Sequence, residues 1–309
     1  MGTRWSEGDI PDLTGRVILI TGANSGIGLE AARACAQHGA QVVLACRNRA
    51  KAEAARDAIA SATANPQLEI LDVDLGDLDS VAAAADAFLA GHDRLDVLVN
   101  NAGLMAIPHQ TTVQGFEMQL GVNHLAAYAL TGRLLDRLLA TEGSRVVAVS
   151  SMGHRPGKID FDDLQSERRY GAWQAYFQSK LANLLFTYEL QRKLAAHGAS
   201  TVAVASHPGG SDTNLGHEPS GVFGSLMNAA RPLSRFVMQP AAMGALPTLR
   251  AAVDPAVVGG QYYGPDGFMQ QRGYPKLVDS TKRSHDADVA SRLWSTSAAL
   301  TGVYYAALD

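Results

Sequence analysis

Short apolar runs alternate with longer stretches of helical spacing along most of this chain. Arg16-Val17-Ile18-Leu19-Ile20 reads as a buried strand, and the alanine-rich Leu29 to His38 as a helix that Gly39 ends. Val42 to Ala45 is a second apolar strand. Asn48 is placed to cap a helix over Arg49 to Ala62, and Pro66 breaks it. Leu68 to Leu71 reads as a third strand, Asp77 starts an alanine-rich helix through Leu89, and Leu95 to Val99 reads as a fourth strand. Phe116 to Leu139 carries apolar positions three and four apart, as one long helix does. Arg145 to Val149, a long helix over Ala172 to Ala196, and Thr201 to Ala205 follow. Gly259 to Tyr263 and Asp288 to Ala299 suggest a last strand and a final helix. Strands alternating with helices imply parallel pairing, with helices on both faces. The expectation is an α/β chain with a doubly wound parallel sheet of about seven strands.

No Pro/Ser linker and no internal repeat interrupts the pattern, so residues 14–309 read as a single domain behind a loose polar leader, Met1 to Leu13. Gly210 to Arg235 departs from it, being rich in Gly, Ser and Pro with little periodicity. A mobile lid on the substrate side and an ordinary surface loop are both open readings of that stretch. The length, 309 residues, is ample for a sizeable core, and 47% hydrophobic content is that of a globular chain. A net charge of −4 gives no general attraction to nucleic acid or anionic membrane. No apolar run approaches the ~20 residues that span a bilayer, and the first residues hold no apolar signal segment. Cys35 and Cys46 lie in apolar surroundings without metal spacing, as packing residues do in a reducing compartment. The expected protein is cytoplasmic, without a membrane anchor or a nucleic-acid partner.

The chemistry begins at the first strand–helix junction. Gly26, Gly28 and Ala31 fit the G-x-G-x-x-G/A spacing of dinucleotide-binding turns. Small residues let backbone approach a pyrophosphate, and the free N–H groups and dipole of the following helix favour its charge. About 20 positions further on, such folds place the residue that meets the adenosine ribose. Here the second strand ends Cys46-Arg47, with no acid at the tip. A guanidinium fork matches phosphate oxygens, so Arg47 predicts NADP(H) over NAD(H). A merely solvated Arg47, beside Arg49 and Lys51, is the competing reading.

Three motifs in order then resemble the short-chain dehydrogenase/reductase family. They are Thr21-Gly22-Ala23-Asn24-Ser25-Gly26-Ile27-Gly28, Asn100-Asn101-Ala102-Gly103, and Tyr176-Phe177-Gln178-Ser179-Lys180 as Y-x-x-x-K. The tracts Ala45-Cys46-Arg47-Asn48, Phe161-Asp162-Asp163-Leu164 and Ser179-Lys180-Leu181-Ala182-Asn183 are similar to its retinol-dehydrogenase-like branch, which also resembles light-dependent protochlorophyllide reductase. The resemblance implies a Rossmann-type fold and a preference for NADP(H). It also implies that Gly22, Asn24, Ser25, Gly26, Ile27 and Gly28 cradle the cofactor and that Asp74 and Leu75 meet the adenine. Asn100, Asn101, Ala102 and Gly103 would flank the adenosine side, Pro208 and Gly209 would pass the nicotinamide, and Thr213 would bind its carboxamide or a phosphate. Asp74 is equally placed to cap a helix.

Hydride transfer to a carbonyl leaves an alkoxide that needs a proton. Tyrosine can donate one, but its ordinary pKa of about 10 is high for a base near neutrality. Tyr176 and Lys180 stand four apart on a predicted helix and share a face, so the ammonium can lower the phenol's pKa and also bond the nicotinamide ribose. The resemblance places Ser151 on the substrate oxygen, with Ser150 as the fallback, and makes Asn123 the holder of a water that links the lysine to solvent. A core amide bonded to backbone is the competing reading of Asn123. The interval from Ser151 to Tyr176 is longer than is usual in the family. Its extra residues, roughly Gly153 to Trp173, include Arg155, Lys158, Arg168 and Arg169, read as a solvated loop. His124, His154 and His207 lack metal spacing and read as structural. No G-x-S-x-G elbow surrounds Ser150 or Ser151, which disfavours a hydrolase.

These features predict an NADP(H)-dependent oxidoreductase that interconverts an alcohol and a carbonyl of a small-molecule substrate. Reduction of a carbon–carbon double bond is an alternative, and so is a dinucleotide-binding sensor or scaffold without turnover. Val222, Phe223, Leu226, Met227 and Phe236 suggest a lipophilic substrate or, equally, helix core. The helices over Phe116 to Leu139 and Ala172 to Ala196 resemble the family's dimer surface, leaving a homodimer or homotetramer as the candidate assembly.

Overall fold

The computed structural model describes residues 4–210 and 239–308. The Gly210 to Arg235 stretch beyond its first residue, the apolar residues named within it, and Thr213 lie outside the described residues.

Eight strands form one sheet in the order β3-β2-β1-β4-β5-β6-β7-β8. They are β1 Val17–Thr21, β2 Gln41–Cys46, β3 Gln67–Asp72, β4 Val97–Asn100, β5 Arg145–Val149, β6 Val202–Ser206, β7 Tyr262–Pro265 and β8 Pro275–Leu277. The first seven pair in parallel, and β8 pairs antiparallel to β7. The sheet is thus one strand wider than the pattern predicts. Three residues, two of them exposed, are too short to show a period.

Alternate residues of β1 serve two cores. Ile18 and Ile20 pack with α1 (Gly26–Gln37), α2 (Arg49–Ser61) and a later helix, Ala241–Val253. Val17 and Leu19 face α3 (Leu78–Gly91) and the helices around Tyr128 and Phe186 on the other side. Both sheet faces are therefore covered, and the parallel strands are apolar because neither face meets water.

The run from Phe116 to Leu139 is not one helix. A single turn, α4 (Met118–Leu120), passes into a π-turn at Gly121–Leu125, then α5 (Ala126–Arg133), a break at Leu134, and α6 (Leu135–Ala140). The π-turn holds Asn123, and such bulges concentrate at functional sites. Helix α7 spans Ala172–Ala196 as the pattern predicts. Helix α8, Ala241–Val253, went unread because Pro247 stands inside it. Helix α9 is Ala287–Thr301. The stretch read as a loose leader is packed over its described part: Ile10 and Leu13 are buried, and Arg33 bonds Glu7 at 2.7 Å. Those two apolar residues dock it against the sheet, which polarity averaged over the stretch conceals.

The strand order reverses between β1 and β4, which lie side by side in the middle of the sheet and run parallel, with β2 and β3 added on one side and β5 to β8 on the other. The crevice beyond their C-terminal ends is where open sheets of this kind receive ligands.

Candidate active site

A cleft of about 550 Å³ opens at that crevice. One wall is the β1–α1 turn. Gly22 and Gly26 take φ of +67° and +55°, and a Cβ on Gly28 would overlap the Gly22 carbonyl oxygen. Helix α1 starts without a side-chain cap from Ser25, so its first N–H groups are left for a ligand. The turn is buttressed by Cys46, whose sulfur accepts the Ala23 and Asn24 N–H groups. Burial pushes that thiol up to about 11, so it acts as packing and not as a nucleophile.

Thr21 ties this turn to the loop after β4. Its Oγ1 accepts the Asn101 and Ala102 N–H groups, each at 3.0 Å, and Asn101 returns its amide to the Thr21 carbonyl at 2.8 Å. Asn101, Ala102 and Gly103 line the cleft. Asn100 does not. Its amide turns inward to Thr131 Oγ1 at 3.0 Å, because successive side chains leaving a strand alternate in direction.

The far end of the cleft carries Arg47, Asn48 and Lys51 on one side and Asp74 and Leu75 on the other. The Arg47 side chain is 74% exposed and lies 3.9 Å from Asp74. Arg49 points elsewhere, paired with Glu53 and Asp72 at 3.0 Å each. Asn48 caps α2 by accepting the Lys51 N–H at 2.9 Å. Asp74 accepts the Gly76 N–H at 2.8 Å and shapes the β3–α3 turn, while Asp77 caps α3.

Ser151, Tyr176 and Lys180 converge at the other end. Tyr176 and Lys180 are one turn apart on α7 and buried, with the ammonium 5.9 Å from the centre of the phenol ring. Tyr176 hydrogen-bonds Ser151, whose Oγ also accepts the Gly153 N–H at 3.1 Å. Ser150 is spent on the scaffold, donating to the Lys180 carbonyl at 2.8 Å. Of the two serines, Ser151 is the one that bonds Tyr176; Ser150 faces the buried Tyr262 instead. Lys180 Nζ donates to the Val149 carbonyl at 3.1 Å, and burial lowers its pKa to about 8. Burial also raises the Tyr176 phenol, with Ser151 opposing it. Desolvation is the largest influence on both groups, and the lowering of the phenol expected from Lys180 is not seen: its pKa moves up, not down.

Asn123 does not line the cleft. Its amide clasps the Leu104 backbone, donating to the carbonyl at 2.9 Å and accepting the N–H at 2.7 Å, and it donates to Ser179 at 2.8 Å. It reaches Lys180 only across Gly103, where a Cβ would stand 3.1 Å from the Asn123 oxygen and 3.2 Å from Nζ. Pro208 and Gly209, just past β6, close the cleft beside Gly210. Arg155, Lys158, Arg168 and Arg169 are exposed and none lines the cleft; Ile159 and Leu164 bury their loop against α7. Cys46, Lys51, Val73, Leu104, Met105 and Val122 line the cleft without having been singled out for it. Only Lys51, three residues past the cap, had a local signal.

A glycine cradle, an uncapped helix start and a Ser151–Tyr176–Lys180 group in one cleft define a nucleotide-dependent oxidoreductase. The family model for short chain dehydrogenases matches residues 16–220, and the chain belongs to that family, in its retinol-dehydrogenase-like branch. Among its relatives, retinol dehydrogenase 13 of Homo sapiens is 40% identical over 303 residues, 96% of this chain and 87% of that one. Retinol dehydrogenase 12 of Homo sapiens is 42% identical over 293 residues, 94% and 88%. A crystal structure from Mycobacterium paratuberculosis superposes with a TM-score of 0.82 at 42% identity, covering 98% of this chain and 99% of that one. Among the described residues, no helix is long and apolar enough to cross a membrane.

Proposed function

We propose that this chain interconverts an alcohol and a carbonyl on an apolar substrate, with NADP(H) as cofactor and Tyr176 as acid/base. The observation that carries the reading is that buried Tyr176 and Lys180 and half-buried Ser151 line one cleft together with a glycine turn. NADP(H), when bound, supplies or accepts a hydride at its nicotinamide ring. Gly22, Asn24, Ser25, Gly26, Ile27 and Gly28 would hold its pyrophosphate on the start of α1. Arg47 and Lys51 supply two cations for a 2′-phosphate, while Asp74 and Leu75 border the adenine.

Tyr176 gives its proton to the substrate oxygen in reduction and takes it back in oxidation. Ser151 holds that oxygen and keeps the phenol aimed at it. Lys180 remains an ammonium below about pH 8 and lends positive charge to a developing phenolate. Asn123 fixes the Leu104 loop beside it and stands one glycine from the ammonium, the place a proton relay requires. An apolar substrate is supported by the retinol named for the relatives.

The test is aldehyde reduction with purified protein, followed by NADPH absorbance. Tyr176→Phe is expected to lower kcat by about 10³-fold with a much smaller effect on NADPH affinity, since it removes one hydroxyl and leaves the glycine turn intact, although the resemblance also counts Tyr176 among the cofactor-binding residues. Arg47→Asp is expected to shift preference toward NADH. Undiminished turnover in Tyr176→Phe would overturn the acid/base assignment, and unchanged relative cofactor affinities in Arg47→Asp would overturn the NADP(H) assignment.

A further inference from the structure

The loop joining β7 to β8, residues 266–274, is held against the cleft by bonds that the cofactor and proton chemistry leave unused. His207 follows β6, and its ring is buried. Its Nδ1 accepts the Gly209 N–H at 3.2 Å, so its Nε2 carries the proton and donates to Gln270 Oε1 at 3.1 Å. Gly210 donates its N–H to the Gln271 carbonyl at 2.8 Å. Gln239 ties the same two strands of chain together, donating to the Pro208 carbonyl and accepting from Gly273 N–H. Two glycines make this approach possible. A Cβ on Gly209 would overlap the Gln271 carbonyl, and a Cβ on Gly264 would overlap the His207 ring.

The loop is bent sharply to make these bonds. Met269 and Gln270 both lie in the left-handed region, at φ +49° and +57°, which side chains other than glycine rarely adopt. The bend turns Gln270 inward to His207 and sends its two apolar neighbours outward. Phe268 is 85% exposed and Met269 65%. Single exposed apolar residues are ordinary on a surface. An adjacent pair on a strained turn, latched to backbone that lines the cleft, is a different feature. Neither side chain lines the cleft itself, but the backbone of Gln270 and Gln271 next to them lies directly against Gly209, which does.

We propose that loop 266–274 is the substrate-side rim of the cleft: the His207–Gln270 bond holds it on Gly209 and Gly210, and Phe268 and Met269 receive the apolar end of the substrate. This rests on the functional reading above and adds the residues that set chain-length preference. His207 acts here as a positioning residue. Burial lowers its pKa to about 3, so the latch stays neutral across the working range of pH.

The experiment compares wild type with the Phe268→Ser/Met269→Ser double variant, Gln270→Leu and Gln270→Glu. One measurement is kcat/KM over a series of aldehydes from butanal to dodecanal with NADPH. The other, free of cofactor, is the Kd for 1-dodecanol from tryptophan emission, Trp173 lying 6.1 Å from Tyr176 between ring centres. NADPH titration checks that each variant is folded. The double variant is expected to lose about tenfold in the dodecanal-to-butanal ratio and about tenfold in dodecanol affinity. Gln270→Leu should show the same loss, and Gln270→Glu, which keeps an acceptor for His207, should recover it. A double variant with the wild-type ratio and dodecanol affinity overturns the proposal alone, as does a wild type that turns over every aldehyde without regard to length. A wild type that reduces none of them overturns the functional reading, and the rim with it.

Discussion

Lys180 is an ammonium placed where proteins avoid one. It is buried, its acceptor is the Val149 carbonyl, and burial lowers its pKa from 10.5 to about 8. Below pH 8 the folded chain bears the cost of that charge. Between about 8 and 10.5 the unfolded chain holds a proton that the folded chain has lost, so the Lys180 contribution to stability rises with pH there. Lys180→Met, an apolar side chain of similar length, is expected to stabilise the cofactor-free protein at pH 7 by on the order of 3 kcal/mol. The gain should shrink as pH approaches 10.5, and activity should be lost. Urea unfolding of both proteins at pH 7 and 10 measures this; a Lys180→Met chain less stable than wild type at pH 7 would refute it. The pairing of Tyr176 with Lys180 was legible because a four-residue spacing is local. The choice of Ser151 over Ser150 was not decided by residues alone, since it depends on which hydroxyl the Lys180 carbonyl takes.

The β1–α1 turn was equally legible, because its glycines answer to local backbone needs. Gly28 shows what they do. Its Cα faces the Gly22 carbonyl so closely that any Cβ would push the helix from the turn. Gly28→Ala is expected to weaken NADPH binding tenfold or more and to cost about 1–3 kcal/mol through overpacking. Fluorescence titration and urea unfolding read the two effects, and wild-type affinity would show the cradle to be looser than drawn. The helix expected over Phe116 to Leu139 failed for a converse reason. Its apolar spacing is genuine, but the π-turn at Gly121–Leu125 brings Asn123 onto the Leu104 backbone, 19 residues away in sequence. A long-range bond of that kind leaves no periodic trace.

The C-terminal segment closes the molecule on the side of α5 and α7. Tyr128, Phe186, Trp294 and Tyr305 pack ring to ring, with centres between 4.5 and 6.5 Å apart, and the Tyr305 hydroxyl donates to the Tyr128 carbonyl at 2.7 Å. Part of the surface of α5 and α7 is therefore covered by the chain's own α9 and Tyr305. Tyr305→Ala would leave a large cavity and is expected to cost about 3–5 kcal/mol. A loss under 1 kcal/mol in urea unfolding would mean that the segment adds little to the core.

The residues alone specified the alternating α/β order, the glycine turn, the Tyr176–Lys180 pair and the basic strand tip. Each depends on neighbours within a turn or a strand, where periodicity and backbone freedom act directly. Folding decided the rest: that Asn100 turns away from the cleft, that Asn123 clasps a loop, that Cys46 supports the cofactor turn, and that His207 latches a loop 63 residues further on. Those contacts join segments far apart in the chain, and chain closure with burial, not local propensity, selects them.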